Sequence, residues 1–176
     1  MVEMMNKKKA LKTILLAVLI GATLMLCFTA CKSKNSAQET KEIKVPTFVV
    51  ETVSAQAGDK NVAVKVSVKK NPGISSIALQ IDYDKSQLSL TGFEINEKIG
   101  GQFAPYNASA DPQKLVWINW SENVEGDWVF ATLHFDVNKD VKGDCNITIS
   151  YDPDDVYNVD EENLDFEIVN GGIKIK

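Results

Sequence analysis

The sequence predicts an all-β protein, a β-sandwich of eight or nine strands behind an N-terminal leader. Three observations carry that reading. From Thr47 onward apolar and polar residues alternate with a period of two. No stretch of ten or more residues in that region carries a helical apolar stripe. Clusters of Gly, Pro, Asn and Asp fall between the alternating runs, as at Ala57-Gly58-Asp59, Asn71-Pro72-Gly73, Gly100-Gly101, Glu125-Gly126-Asp127, Lys142-Gly143-Asp144 and Asp152-Pro153-Asp154. Strands with one apolar face must bury it against a second sheet, so a sandwich follows.

The elements follow in chain order. Lys7, Lys8, Lys9 and Lys12 form a positive region, residues 14–26 are an apolar core, and Phe28-Thr29-Ala30 leads to Cys31. These are the parts of an export signal. The alternative is a permanent membrane helix drawn from the uncharged residues 13–30, although the apolar core is shorter than the roughly 20 residues that span a bilayer. Leu26-Cys27-Phe28-Thr29-Ala30-Cys31 resembles a bacterial lipoprotein signal, with Phe28 where such signals prefer leucine. The resemblance implies that Cys31 is acylated and becomes the N-terminus of a protein anchored to the extracellular face of the bacterial cell membrane. Residues 1–30 are then the signal peptide, 31–46 a polar tether and 47–176 the folded domain.

Strong alternation marks Val62, Val64, Val66 and Val68, then Ile77, Leu79, Ile81 and Tyr83. It returns at Val129, Ala131, Leu133, Phe135 and Val137, and at Cys145, Ile147, Ile149 and Tyr151. Weaker strands are predicted at 48–53, at 88–95 with a bulge at Gly92, at 114–121 and at 168–175, with 103–108 as a possible ninth. In the strand at 114–121 Val116, Ile118 and Trp120 are read as facing in, which turns Trp117 outward. Phe130 and His134 are read as facing outward from the other sheet, as cross-strand filling.

Charge and composition remove several functions. Taking Glu3 and the four leader lysines from the 24 acidic and 19 basic side chains leaves 23 and 15, a net charge of −8. A nucleic-acid-binding surface needs the opposite sign. A single histidine, His134, excludes a multi-histidine zinc site. Cys145 has no cysteine partner in a mature chain acylated at Cys31, so it is read as a small buried hydrophobe. The acidic stretch Asp152-Pro153-Asp154-Asp155 with Asp160, Glu161 and Glu162 lacks the glycine and spacing of a calcium loop and reads as a solvated turn. Carboxylates scattered on turns, with no serine in an elbow motif, do not suggest an enzyme.

Six pieces of the domain, in order, resemble a cohesin, the receptor module of cellulosome scaffolds. They are Phe48-Val49-Val50 leading to Ala57-Gly58-Asp59; the valine strand; Asn71-Pro72-Gly73-Ile74; Ile81-Asp82-Tyr83-Asp84-Lys85-Ser86-Gln87-Leu88; the run from Gly126 to Phe135; and Val169-Asn170-Gly171-Gly172-Ile173-Lys174-Ile175. Lys85 stands where the family usually has proline. The resemblance implies a nine-stranded β-sandwich with jelly-roll topology that binds a dockerin, a small helical module with calcium in its own loops and no cofactor needed in this chain. It implies a cell-surface module receiving a plant-polysaccharide-degrading enzyme or scaffold. The short link from Glu122 to Asp127 implies the type I form.

Carried over residue by residue, the family's binding face falls on Ser76, Ala78, Gln80 and Asp82 of one strand. A second strand offers Trp117, Asn119 and Ser121 with Glu122 at its end, and a third offers Asn146, Thr148 and Ser150. Tyr106 joins from the segment between. Ala78 stands where several members carry an aspartate, so the implied partner differs from the common kind. The competing reading is a carbohydrate-binding module that holds polysaccharide directly on outward aromatic side chains, for which the sequence offers Trp117 and Tyr106.

Overall fold

The computed structural model describes residues 43–176; the leader, Cys31 and most of the tether lie outside the described residues. Twelve strands are described: β1 (Thr47–Val50), β2 (Thr52–Ala55), β3 (Val62–Lys69), β4 (Ser76–Tyr83), β5 (Leu88–Ile95), β6 (Gln102–Phe103), β7 (Gln113–Ile118), β8 (Trp128–Val137), β9 (Cys145–Ser150), β10 (Val156–Tyr157), β11 (Glu167–Val169) and β12 (Gly171–Ile175). They form two facing sheets. One is five-stranded, in the order β11-β1-β3-β8-β5. The other is seven-stranded, in the order β2-β12-β9-β4-β7-β6, with β10 paired to β4. This is a β-sandwich of jelly-roll type.

The predicted strands 48–53 and 168–175 each break in the middle because the chain changes sheets there. β1 and β11 pair in parallel in one sheet, and β2 and β12 pair in parallel in the other. Both ends of the domain therefore cross together, at Glu51 and Asn170. The crossing brings backbones too close for side chains. A Cβ on Gly171 would run into the Val50 carbonyl oxygen, and one on Gly172 into the Cys145 carbonyl oxygen.

The core lies between the sheets. Val64, Val66, Val68, Leu133, Phe135 and Val137 come from one side, facing Ile77, Leu79, Ile81, Leu115, Ile147 and Ile149 from the other, and all are buried. Alternation on every long strand supplies this set, and each such side chain contributes about 1.5–3 kcal/mol by leaving water.

Two bulges shift the alternation. In β5 the pairing with β8 passes from Leu90–Phe135 to Gly92–His134 and leaves Thr91 over, as the phase change at Gly92 predicts. In β8 the pairing with β3 passes from Val66–Ala131 to Ser67–Val129 and leaves Phe130 over. That extra residue overturns the outward reading of Phe130, which is fully buried beside Ala131. His134 stays on the outer phase but is largely covered, between Gly92 and Ala63 of the flanking strands.

The ninth predicted strand shrinks to Gln102–Phe103, and β10 is an addition. Beyond β6, Tyr106 closes the side of the sandwich. Its ring meets Phe93 edge-on at 5.4 Å and its hydroxyl donates to the Leu90 carbonyl at 2.7 Å. The Leu90 N–H points to the Tyr83 hydroxyl at 3.4 Å, so two tyrosines satisfy the backbone groups of Leu90 on the edge strand β5.

Candidate binding face

The outer face of the seven-stranded sheet is built by β9, β4 and β7 lying side by side. Register sets Ala78 opposite Val116 and Ser76 opposite Ile118. Gln80 lies between Lys114 on one side and Ser150 on the other, and Asp82 is opposite Thr148. The centre is thus small and apolar, and the rim is polar. Asn146, Ser150 and Asp82 are exposed, and the Thr148 hydroxyl reaches the Asp82 carbonyl at 3.5 Å. Ser76 is in the outward phase but buried, because Tyr157 of β10 pairs beside it. Ser121 and Glu122 are exposed beyond the end of β7.

The structure corrects the phase of β7. Trp117 is 0% exposed and belongs to the core. Its Nε1 donates to the Gly100 carbonyl at 2.8 Å, and its ring lies among Phe103, Trp128 and Phe130 at 6.0–6.3 Å. Asn119 is buried too, its Oδ1 accepting from the Ser121 N–H at 3.0 Å. Tyr106 lies at the side of the sandwich, bonded to β5 of the other sheet, and not on this face. The residues facing out are Lys114, Val116 and Ile118, and the next in phase is Trp120, at 76% the most exposed large apolar side chain among the described residues.

Residues 115–120 are nearly all apolar, so periodicity alone could not choose between the two phases. Lys114 carried the missing signal. A lysine does not enter a dry core without a partner, so its phase had to be the wet one, and positions 116, 118 and 120 share it.

Trp120 also walls a cleft of about 310 Å³ at the end of the face, together with Ile118, Tyr157, Val159 and Glu161. The far wall is held by short bonds. The Val159 N–H donates to Asn123 Oδ1 at 2.9 Å, and Asn158 Oδ1 accepts from the N–H groups of Asp160 and Glu162 at 3.0 and 2.9 Å. Asn123 is itself steadied by the neighbouring bridge between Ile74 and Val124. No group of three or more His, Cys, Asp or Glu side chains converges on a metal position among the described residues.

With fold and face in place, comparison with known proteins gives a consistent result. Residues 46–175 match the cohesin domain family. A chain of a type I cohesin–dockerin complex from Clostridium thermocellum is 23% identical, with a TM-score of 0.65 over 76% of this chain and 100% of that one. A cohesin from Clostridium acetobutylicum is also 23% identical, with a TM-score of 0.61 over 76% of this chain and 93% of that one. A non-cellulosomal cohesin from the archaeon Archaeoglobus fulgidus is 17% identical, with a TM-score of 0.64 over 76% and 92%. Among curated proteins nothing matches the chain. The chain shares with these proteins a jelly-roll sandwich, and its seven-stranded sheet presents a partly apolar outer face suited to binding. The chain belongs to the cohesin domain family.

Proposed function

We propose that this cohesin domain docks a dockerin of the type I kind on the outer face of the seven-stranded sheet, and that a lipid on Cys31 holds the complex at the cell surface. The observation that carries the docking reading is the face itself: Ala78, Val116 and Ile118 at a flat apolar centre, with Gln80, Lys114, Asp82 and Thr148 around it. Apolar centres with polar rims are how protein interfaces are built. The similarity to a chain from a cohesin–dockerin complex supports the choice of partner. The docked protein is then a plant-polysaccharide-degrading enzyme or a scaffold.

Calorimetry of the purified protein against dockerins from the genome that encodes it tests this. Val116→Asp should weaken binding by about 2 kcal/mol or more, because it places a charge at the centre of the contact. Lys65→Ala, exposed on the opposite sheet, should leave affinity unchanged. Calcium chelation should abolish binding, since the dockerin loses its fold, while the melting point of this protein stays put. Absence of binding to every dockerin would sink the reading. For the anchor, mass spectrometry of the mature N-terminus should find diacylglycerol on Cys31, and Cys31→Ser should release the protein from membranes. An unmodified Cys31 in an uncleaved chain would refute it.

A further inference from the structure

Five large apolar side chains are exposed among the described residues, and two of them, Trp120 and Val159, line the same cleft. Val159 is fixed by its bond to Asn123, and Trp120 lies two residues past the end of β7, beside Asn119, whose Oδ1 accepts from the Ser121 N–H. An indole left 76% exposed beside a preformed apolar wall is a surface waiting for a hydrophobic side chain. Preforming the wall lowers the ordering cost when that side chain arrives.

The charge around the cleft is one-sided. Its walls come from segments 71–84, 115–138 and 143–173, none of which contains a lysine or arginine. Of the residues lining the cleft Glu161 carries the negative charge, and its chain neighbours Asp160 and Glu162, with Glu122 two residues beyond Trp120, are exposed as well. Glu162 is engaged by the Asn158 amide at 2.8 Å, whereas the carboxylates of Glu122 and Glu161 form no hydrogen bond or ion pair. A partner that brought a carboxylate here would be repelled, and one that brought a lysine or arginine would meet the open acceptor of Glu161.

We propose that this cleft is the selectivity subsite of the docking face: it receives an apolar side chain of the dockerin that has a lysine or arginine next to it, the apolar group lying between Trp120 and Val159 and the cation on Glu161. The inference rests on the docking reading and adds which dockerins are accepted. It also moves the energetic centre away from the middle of the sheet, toward β10 and the loop after it.

The experiment uses the full chain, titrated by calorimetry with calcium-loaded dockerins from the same genome and, separately, with cellulose and xylan oligosaccharides. For a dockerin that binds, Trp120→Ala should lower affinity roughly tenfold or more, and Trp120→Phe should keep most of it. Glu161→Lys should weaken binding and flatten its salt dependence, whereas Asp140→Lys, an equal charge change at another exposed acid, should not. The Glu161 backbone is at φ +61°, which lysine tolerates no worse than glutamate, so loop strain does not confuse the comparison. If Val116→Asp abolishes binding while Trp120→Ala stays within about twofold of the parent, the face docks and the cleft does not take part, which overturns this inference alone. If no dockerin binds, the docking reading falls and this inference with it. Oligosaccharide binding that disappears in Trp120→Ala would overturn the assignment of a protein partner.

Discussion

The indole of Trp117 fills the space that Gly101 leaves open: a Cβ there would stand 2.5 Å from Nε1, and the backbone at Gly101 is at φ +73°. Three residues later Trp120 touches little but solvent and the cleft wall. Two tryptophans three residues apart therefore have opposite consequences. Trp117→Ala should cost about 3–5 kcal/mol in chemical denaturation, from lost burial and the cavity left behind. Trp120→Ala should stay within about 0.5 kcal/mol of the parent. Equal losses would mean that the phase of β7 is misassigned. This is also where sequence reading met its limit. Strands with two charged residues in the wet phase and only valines in the other, such as β3 with Lys65 and Lys69, declare their faces. In β7 the four residues after Gln113 and Lys114 are all apolar, so the lysine is the one charged mark of the wet phase, and Gly101 makes room for the indole that the other phase buries.

Elements are joined by turns that three aspartates hold. Asp84 accepts from the Ser86 N–H and hydroxyl and from the Gln87 amide between β4 and β5. Asp127 accepts from the Lys70 N–H at the end of β3, and Asp136 from the Lys60 ammonium and the Asn61 N–H at its start. Hydrogen bonds to Ser86 and Gln87 hold the Asp84 carboxyl below its ordinary 3.8. The Lys70 N–H lowers Asp127, and the Lys60 ammonium with the Asn61 N–H lowers Asp136. A carboxyl lowered in the folded state adds stability that is fully present above its unfolded value and is lost as pH falls through the folded one. Melting temperature should therefore hold from neutral pH to near 4 and fall below about 3.8, with Asp84→Ala melting lower than the parent at pH 6 and approaching it in strong acid. A constant gap between the two proteins at every pH would contradict the argument. The turns were legible as Gly, Asp and Asn clusters. The bulge at Phe130 was not, because an unpaired extra residue leaves no mark in a run where both neighbours, Val129 and Ala131, are apolar. The sheet change at Glu51 and Asn170 was hidden for a related reason: the inward phase passes from Phe48 and Val50 to Val53 and Ala55 within a run too short to show it, and only the paired glycines at 171 and 172 hint that three backbones meet there.

At the scale of the whole molecule the question is what holds the two sheets together, since among the described residues no disulfide does. The only cysteine among the described residues, Cys145, is buried, and its thiol lies 3.4 Å from the Gln87 side-chain oxygen. Burial pushes that thiol up from its ordinary value, with the nearby charges of Asp144 and Asp84 adding to the effect. It is therefore neither a nucleophile nor available for exchange while the sandwich is intact. Stability must come from the core, from the parallel closure of β1 on β11 and β2 on β12, and from the aromatic cluster around Trp117. Melting should be the same with and without reductant. A thiol reagent should label Cys145 only as fast as the sheets open, so that labelling accelerates with denaturant in step with unfolding. Rapid labelling in native buffer would show that the pairing of β9 with β12 at Cys145 opens on its own. A loss of several degrees in reductant would show that Cys145 is held in a disulfide, at the start of the very strand whose outer residues, Asn146 and Thr148, the docking reading requires to be free.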